Sequence, residues 1–558
     1  MTGSALPIPD HRRRPSPDPT STELLFVQPP AIRSSAVLKV VAILVTIGFA
    51  FPAGYLVWRN FTFHSDPLGV LFSQRTQGPL LRTLRLAVLV SASTAAFGTA
   101  LAWLTTRCDI PFRRVWQALL PLPLVFPTFI GAAALIRTLN PGGLLSDWLD
   151  NLGLVWDVEV RGLFGAWLAL TLFTYPYVYL PVAARLRRLP GSAEETARLL
   201  GDSPLSIIRR VVLPQTATAI SAGTLLVFLY AISDFGAVQL MRYDTLSRAI
   251  YTTRLNNQPV SMALSVILLV LAAVVVLVER GATRRYEHAA PVRSRSPVIY
   301  RLGRAKPIAV AFLAGSVALA LLGPLASLAD WSIDGIRLEA SGGRDLLVGW
   351  DDVWAPTWHT AYGSILAAVV SVAVVLPAAY LVVRHRSRIG TVANAVIVSA
   401  FALPGILIGL ALLFWTLKTD IGSHLRNTLV LLVFAYIVRF GGQTMRTSQV
   451  AVAAVSSRLT DAARTLGASW ARRFRSLELP LMAPGLLAGG GLVMLSVMKE
   501  LPITLLIAPF DFPTLTTKAF NSIEEAFVAE AGIWSGVLVV LSGVLTWFFI
   551  VRRADHFD

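Results

Sequence analysis

Among the ionisable residues inside apolar runs are Asp234, in the segment SDFGA, and Lys499 with Glu500, in MKELPITLL. On insertion scales a charge in such a position costs about 2.5–3.5 kcal/mol, so each needs a task. Asp234 and Glu500 stand in register in a stretch of sequence that occurs twice, which matches the two acids in depth and makes Asp234, Lys499 and Glu500 candidates for a path or gate across a membrane. The local alternative is that Lys499 neutralises Glu500 and Asp234 caps a broken helix end. Little else in the sequence points to chemistry. Neither HExxH, GxSxG nor GxxxxGK[ST] occurs, Cys108 is the one cysteine, and seven histidines are scattered from His11 to His556. The sequence therefore predicts no enzyme, no metal ligands, no cofactor bound by this chain and no ATPase of its own. Tyr175, Tyr177 and Tyr179 offer oxygen atoms within a span, but such tyrosines also serve as packing or interface residues.

The elements that position these residues are organised around the clearest part of that repeat. SAEETARLLGDSPLSIIRRVVLP runs over 192–214, and TDAARTLGASWARRFRSLELP runs over 460–480. Glu195, Ala197, Gly201, Ser203, Arg209, Leu213 and Pro214 correspond to Asp461, Ala463, Gly467, Ser469, Arg475, Leu479 and Pro480, every pair at the offset that relates Asp234 to Glu500. Ser192 and Glu195 have the spacing of a capping box. Gly201 suits a left-handed helix end, Ser203-Pro204 a helix restart, and Leu213-Pro214 a turn back toward the membrane. In the second copy Arg458 replaces the capping serine, and Thr460 is the remaining candidate cap.

The chain of 558 residues is 55% hydrophobic with a mean hydropathy of +0.64 and a net charge of +17. That composition belongs to a membrane protein in a lipid bilayer. The basic residues sit mostly between apolar runs, which argues for topology rather than nucleic-acid binding. Residues 1–35, with seven prolines, read as a disordered cytoplasmic tail. Apolar runs near 37–58, 84–106, 115–136, 163–185, 217–238 and 260–278 give six spans. The basic linker 279–306 separates them from six more near 307–328, 361–383, 393–417, 427–446, 484–508 and 532–551. With both termini cytoplasmic, the segments holding Arg107, Arg185 to Arg210, Arg384 and Arg458 to Arg475 fall inside, and the acidic loop 138–160 falls outside. Arg242, Arg248 and Arg254 dissent from that rule.

Thr83, Ala102, Arg107 and Pro127 recur as Thr360, Ala379, Arg384 and Pro404, all at a single, slightly larger offset, and Ala219-xxx-Gly223 recurs as Gly485-xxx-Gly489. The expected architecture is an all-α membrane protein of twelve transmembrane helices in two parallel six-helix repeats, 36–278 and 307–558, related by a pseudo-two-fold axis along the membrane normal.

The spacing acid-x-A-x3-G-x9-apolar-x-L-P resembles the EAA loop of bacterial ABC importer permeases of the type I, MetI-like fold, and the resemblance covers nearly the whole chain. It departs at Thr196, where the family has alanine, and at Asp461, where it has glutamate. The resemblance implies that Glu195, Ala197, Gly201, Leu213 and Pro214, and Asp461, Ala462, Ala463, Gly467, Leu479 and Pro480, couple the chain to two copies of an ABC nucleotide-binding subunit that hold the ATP-Mg. It also implies an extracytoplasmic substrate-binding protein and a place in a bacterial plasma membrane. The segments SDFGAVQLMRYDTLSRAIY and MKELPITLLIAPFDFPTLTTKAF resemble fused permeases of ferric iron importers; within this chain Thr245-Leu246 and Thr514-Leu515 hold equivalent places in the two segments. Thiamine, polyamine or phosphonate permeases of the same architecture are alternatives. Two lipid-surface helices in place of docking loops, a secondary transporter and a membrane-embedded enzyme are the competing classes.

Overall fold

The computed structural model describes residues 35–62, 67–189, 191–284, 298–341, 346 and 348–546. The expected tail 1–35 (but for its last residue), residues 285–297 of the basic linker and the closing Arg552 and Arg553 lie outside the described residues. Those described are helical throughout, apart from loops and one isolated bridge between Cys108 and Tyr300.

Among the described residues ten helices are long and apolar enough to cross a membrane. In the first half they are span one (Ala36–Thr62), span two (Thr76–Arg107), span four (Gly162–Arg188), span five (Ile208–Ser233) and span six (Gln258–Val278). In the second half they are span seven (Gly303–Arg337), span eight (Asp351–Val383), span ten (Leu429–Ala454), span eleven (Trp470–Met498) and span twelve (Val528–Leu545). The expected third and ninth spans are not straight crossings. Arg113–Val125 and Thr128–Asp150 meet at 106°, and Arg388–Ala400 and Gly405–Lys418 meet at 101°, so the count is ten, or twelve if each bent pair is one span. Proline causes both breaks: Pro127 and Pro404 stand extended (ψ 139° and 136°) just before the second helix of each pair. A proline offers no N–H to the preceding turn and drives the residue before it out of the helical region.

The repeat is visible atom by atom. Thr83 Oγ1 donates to Pro79 O and accepts from Leu246 N–H at 2.9 Å; Thr360 Oγ1 donates to Pro356 O and accepts from Leu515 N–H at 2.9 Å. Ser247 Oγ donates to Ile232 O, and Thr516 Oγ1, its counterpart, to Met498 O. In each half the second, fourth and fifth helices of the repeat pack on one another. Small residues permit this: a Cβ on Gly223 would stand 2.8 Å from Tyr177 O, and one on Gly485 would stand 2.9 Å from Ala451 Cβ. The first helix of each half leans on the other half. Phe51 of span one meets Trp415 edge-on at 5.3 Å. In span seven, Ser327 bonds Thr138 at 2.8 Å and Asp330 pairs with Arg137 at 2.8 Å.

Candidate functional site: two repeated loops and a charged cavity

Both repeated loops fold as a short helix with a left-handed glycine end. The first helix runs Ser192–Leu199 and the second Ser457–Thr465. Gly201 has φ +88° and Gly467 φ +77°. Gly201 N–H donates to Arg198 O and Asp202 N–H to Ala197 O; Gly467 N–H donates to Arg464 O and Ala468 N–H to Ala463 O. This pair of bonds is the Schellman arrangement, which satisfies the carbonyls that a helix end leaves open. Ala197 and Ala463 thus sit where the closing bond is received. Ser203 and Ser469 each accept from the N–H three residues on, at 3.4 Å, and start the second helix.

Two expectations for the loops are overturned. The Ser192–Glu195 capping box does not form, because Gly191 occupies the N-cap position and Ser192 is already the first helical residue. Glu195 is instead exposed. In the second copy Ser456 holds the N-cap position, and Thr460 lies within the helix and bonds Ser457 O. Nor does Leu-Pro turn the chain. The second short helix runs straight into span five or eleven through a π-turn, Ile208–Val212 or Phe474–Glu478, in which Leu213 N–H reaches Ile208 O and Leu479 N–H reaches Phe474 O. The wider turn re-registers the ladder around Pro214 and Pro480, which have no N–H to give.

The anchors of the loops differ, and the acids that make them, Glu194 and Glu478, are not singled out by the repeat. Arg107, at the end of span two and fully buried, donates from Nη1 to Glu194 at 2.9 Å and from Nη2 to Leu189 O at 3.3 Å. Tyr300 donates to the other Glu194 oxygen at 2.6 Å, and Arg198 lies over the Tyr300 ring. Burial, with the Glu194 carboxylate adding to it, pushes the Tyr300 phenol up to about 12. Beside it Asp109 accepts from Leu302 N–H and Lys306, the first of which does most to hold its carboxyl below the usual range. The second loop is held one helix later: Glu478, on the π-turn, accepts from Tyr380 at 2.8 Å and Arg473 at 3.0 Å. The signal available in sequence is the Arg107/Arg384 repeat; Glu194 is hidden beside Glu195.

The loops present apolar side chains outward. Leu199, Leu200 and Leu466 are more than four-fifths exposed, and Trp470 is two-thirds exposed.

Asp234, Lys499 and Glu500 all line one cavity of about 380 Å3 between the halves, with Thr128, Phe173, Tyr177, Tyr230, Gly405, Arg439, Gln443, Arg446 and Ser496. Spans five and eleven end here, at Ser233 and Met498. Asp234 caps the next short helix through Ala237 N–H at 3.0 Å, and its other oxygen accepts from Thr128 at 2.7 Å. Glu500 accepts from Ile503 N–H at 3.4 Å. Lys499 does not pair with Glu500; its Nζ donates across the halves to Leu124 O at 2.7 Å. A larger, apolar hollow of about 890 Å3 between spans two, five and seven contains none of these groups.

A family model described as binding-protein-dependent transport system inner membrane component matches residues 92–287 and again 347–556. The chain belongs to this family. The permease carries the family's unit twice, and family members are transport subunits rather than enzymes. It is 27% identical to the Fe(3+)-transport system permease protein FbpB 2 of Haemophilus influenzae over 91% of this chain and 96% of the relative. It is 32% identical to the sulfate transport system permease protein CysT of Salmonella typhimurium over 28% of this chain and 55% of that protein. A probable molybdenum ABC transporter permease protein of Haloferax volcanii is 29% identical over 33% of this chain and 75% of the relative.

Proposed function

We propose that this chain is the transmembrane permease subunit of an importer of ferric iron in a bacterial plasma membrane, with both termini cytoplasmic. The loops 192–214 and 460–480 dock on two ATP-hydrolysing subunits, and an extracytoplasmic binding protein delivers cargo on the opposite face. The observation that carries the coupling role is the pair of loops itself. Two helices at equivalent places of the repeat end in the same left-handed glycine bonds, and both expose leucine side chains. Exposed large apolar groups on a built, rigid knob fit a partner's cleft. A helix lying on lipid would not require the same glycine turn in both copies.

Ferric iron is favoured over other cargo by extent of match. The iron relative aligns along nearly its whole length and nearly the whole of this chain, whereas the sulfate and molybdenum relatives match about a third of it or less. The test has two parts. The tagged chain, extracted in mild detergent, retains an ATP-hydrolysing subunit, and replacement of Gly201 and Gly467 together releases it. In vesicles, the complex with its binding protein shows ATPase stimulation by the ferric form, and not by thiamine, spermidine, sulfate or molybdate. Stimulation by another cargo alone refutes iron, and failure to retain any ATPase refutes the importer.

A further inference from the structure

The charged groups of the cavity are distributed unevenly between the halves. Arg439, Gln443 and Arg446 follow one another at i, i+4 and i+7 on span ten, so they form one stripe on one helix face, and all three line the cavity. Lys499 adds a third cation from the end of span eleven. At the matching places of the first half stand Phe173, Tyr177, Leu180 and Ser233. Phe173, Tyr177 and Ser233 also line the cavity, and Tyr177 packs on Tyr230 with ring centres 5.9 Å apart. The second half therefore contributes all the positive charge and the first an aromatic wall. The two acids, by contrast, are matched across the repeat.

Availability decides what this charge can do. Both oxygens of Asp234 are engaged, one by Ala237 and Val238 N–H and the other by Thr128, and one Glu500 oxygen accepts from Ile503 N–H. Each acid thus holds a helix start, and Glu500 also interacts electrostatically with Arg439, which leaves the cavity with three cations against two acids. The cations keep donors in hand. Lys499 places one of its three protons on Leu124 O. Arg439 Nη1 is held by Phe401 O and Leu403 O, at 2.5 and 2.6 Å, while its buried Nε has no partner among the described residues. Arg446 is exposed in the wall. Placing three cations at the end or within a span carries a cost on insertion of several kcal/mol in all; a negative ligand offsets it, and guanidinium forks suit anionic oxygen atoms.

We propose that this cavity accepts its cargo as a small anion rich in oxygen, with Arg439, Arg446 and Lys499 as its contacts, and that iron therefore passes as an anionic oxygen-ligated complex rather than as a bare trivalent cation. This inference rests on the transport reading above. Anionic oxygen could come from a ferric chelate or from a free oxyanion, and the experiment separates them.

The full-length protein in detergent is titrated with ferric citrate, with molybdate and with hexaamminecobalt(III), a soluble trivalent cation, by isothermal titration calorimetry. Ferric citrate binds, the cobalt complex neither binds nor competes, and Arg446→Gln weakens binding at least tenfold. Arg439→Lys, which keeps the charge and guards against misfolding, retains more affinity than Arg439→Gln. Binding of molybdate without ferric citrate upholds the anion site but removes iron as cargo. Failure to retain an ATPase in the separate co-purification removes the importer and leaves the anion site standing. Binding of the cobalt complex lost in Asp234→Asn but kept in Arg446→Gln, or no anion binding at millimolar concentration, overturns the proposal.

Discussion

Arg107 donates to Glu194 at 2.9 Å with both side chains essentially out of contact with solvent, at 0% and 2% exposure. This ion pair ties the end of span two to the helix of the first repeated loop, and Tyr300, from the segment leading into span seven, closes it. The first loop is therefore fastened both to span two and to the linker that leads into span seven, whereas among the described residues Arg384, the equivalent of Arg107, bonds the carbonyl of Val455. Position in a repeat does not fix partnership: Glu194 has Thr460 at its equivalent place, which has no charge to pair.

Removing one partner of a buried pair leaves the other charge stranded, at about 3–5 kcal/mol. Glu194→Ala and Arg107→Ala should each lower the thermal midpoint of the purified protein sharply, while Arg384→Ala shifts it much less. The double variant Arg107→Met, Glu194→Leu should be less damaged than either single alanine variant. Thermal unfolding of the four proteins checks this. Equal shifts for Arg107→Ala and Arg384→Ala would show that the two loops are anchored alike.

The glycine turns provide a test confined to the backbone. A Cβ on Gly201 or Gly467 would meet nothing within 4 Å, so alanine adds no clash and only the strain of a left-handed L-residue, about 1–2 kcal/mol. Gly201→Ala and Gly467→Ala should weaken retention of the ATPase subunit in detergent while leaving span assembly intact. Asparagine, which tolerates this conformation, should retain more than valine. Retention that ignores the substitution in both loops would detach the turn from docking.

The two-fold plan, the repeated loops and the glycine turns are legible in the sequence because each is a local pattern repeated at a constant offset. Pairing across the chain is not. The sequence sets Lys499 beside Glu500 as neighbours, but the helix ends at Met498 and aims the ammonium group at Leu124 of the other half. Ser192 and Glu195 have the spacing of a capping box, but spacing cannot tell that the helix begins one residue earlier, behind Gly191. The bends at Pro127 and Pro404 are marked by a matched proline pair, whose angle only packing reveals. Arg439 and Arg446 give no repeat signal, because span four has no arginine at the matching places.

Thr128 and Gly405 hold equivalent positions in the two halves, and each abuts the acid of its own half. Thr128 bonds Asp234, while a Cβ on Gly405 would run into the Glu500 carboxylate. Thr128→Val should cost about 1.5–3 kcal/mol, the range for a hydrogen bond to a charged group. Gly405→Ala should impair transport by displacing Glu500. Because the two residues touch, Gly405→Ala in a Glu500→Ala background should add little further loss, a coupling that uptake assays on the four proteins of the cycle would measure. Additive losses would mean that Gly405 acts independently of the acid.

Cys108 follows Arg107 and pairs with Tyr300 in the bridge that closes the first loop's anchor. It is 1% exposed, and burial, with the Asp109 carboxylate adding to it, pushes its thiol up to about 11. Folding thus favours the neutral thiol. That contribution is fully present below the unfolded value of about 8.5 and is lost as pH rises toward 11. The nucleophile is the thiolate, so maleimide at pH 7.5 should label the native protein far more slowly than the protein unfolded in detergent. The Glu194→Ala variant, with the anchor loosened, should label faster than wild type. Rapid native labelling would place the bridge open, and labelling of Glu194→Ala at the wild-type rate would separate the bridge from the Arg107–Glu194 pair.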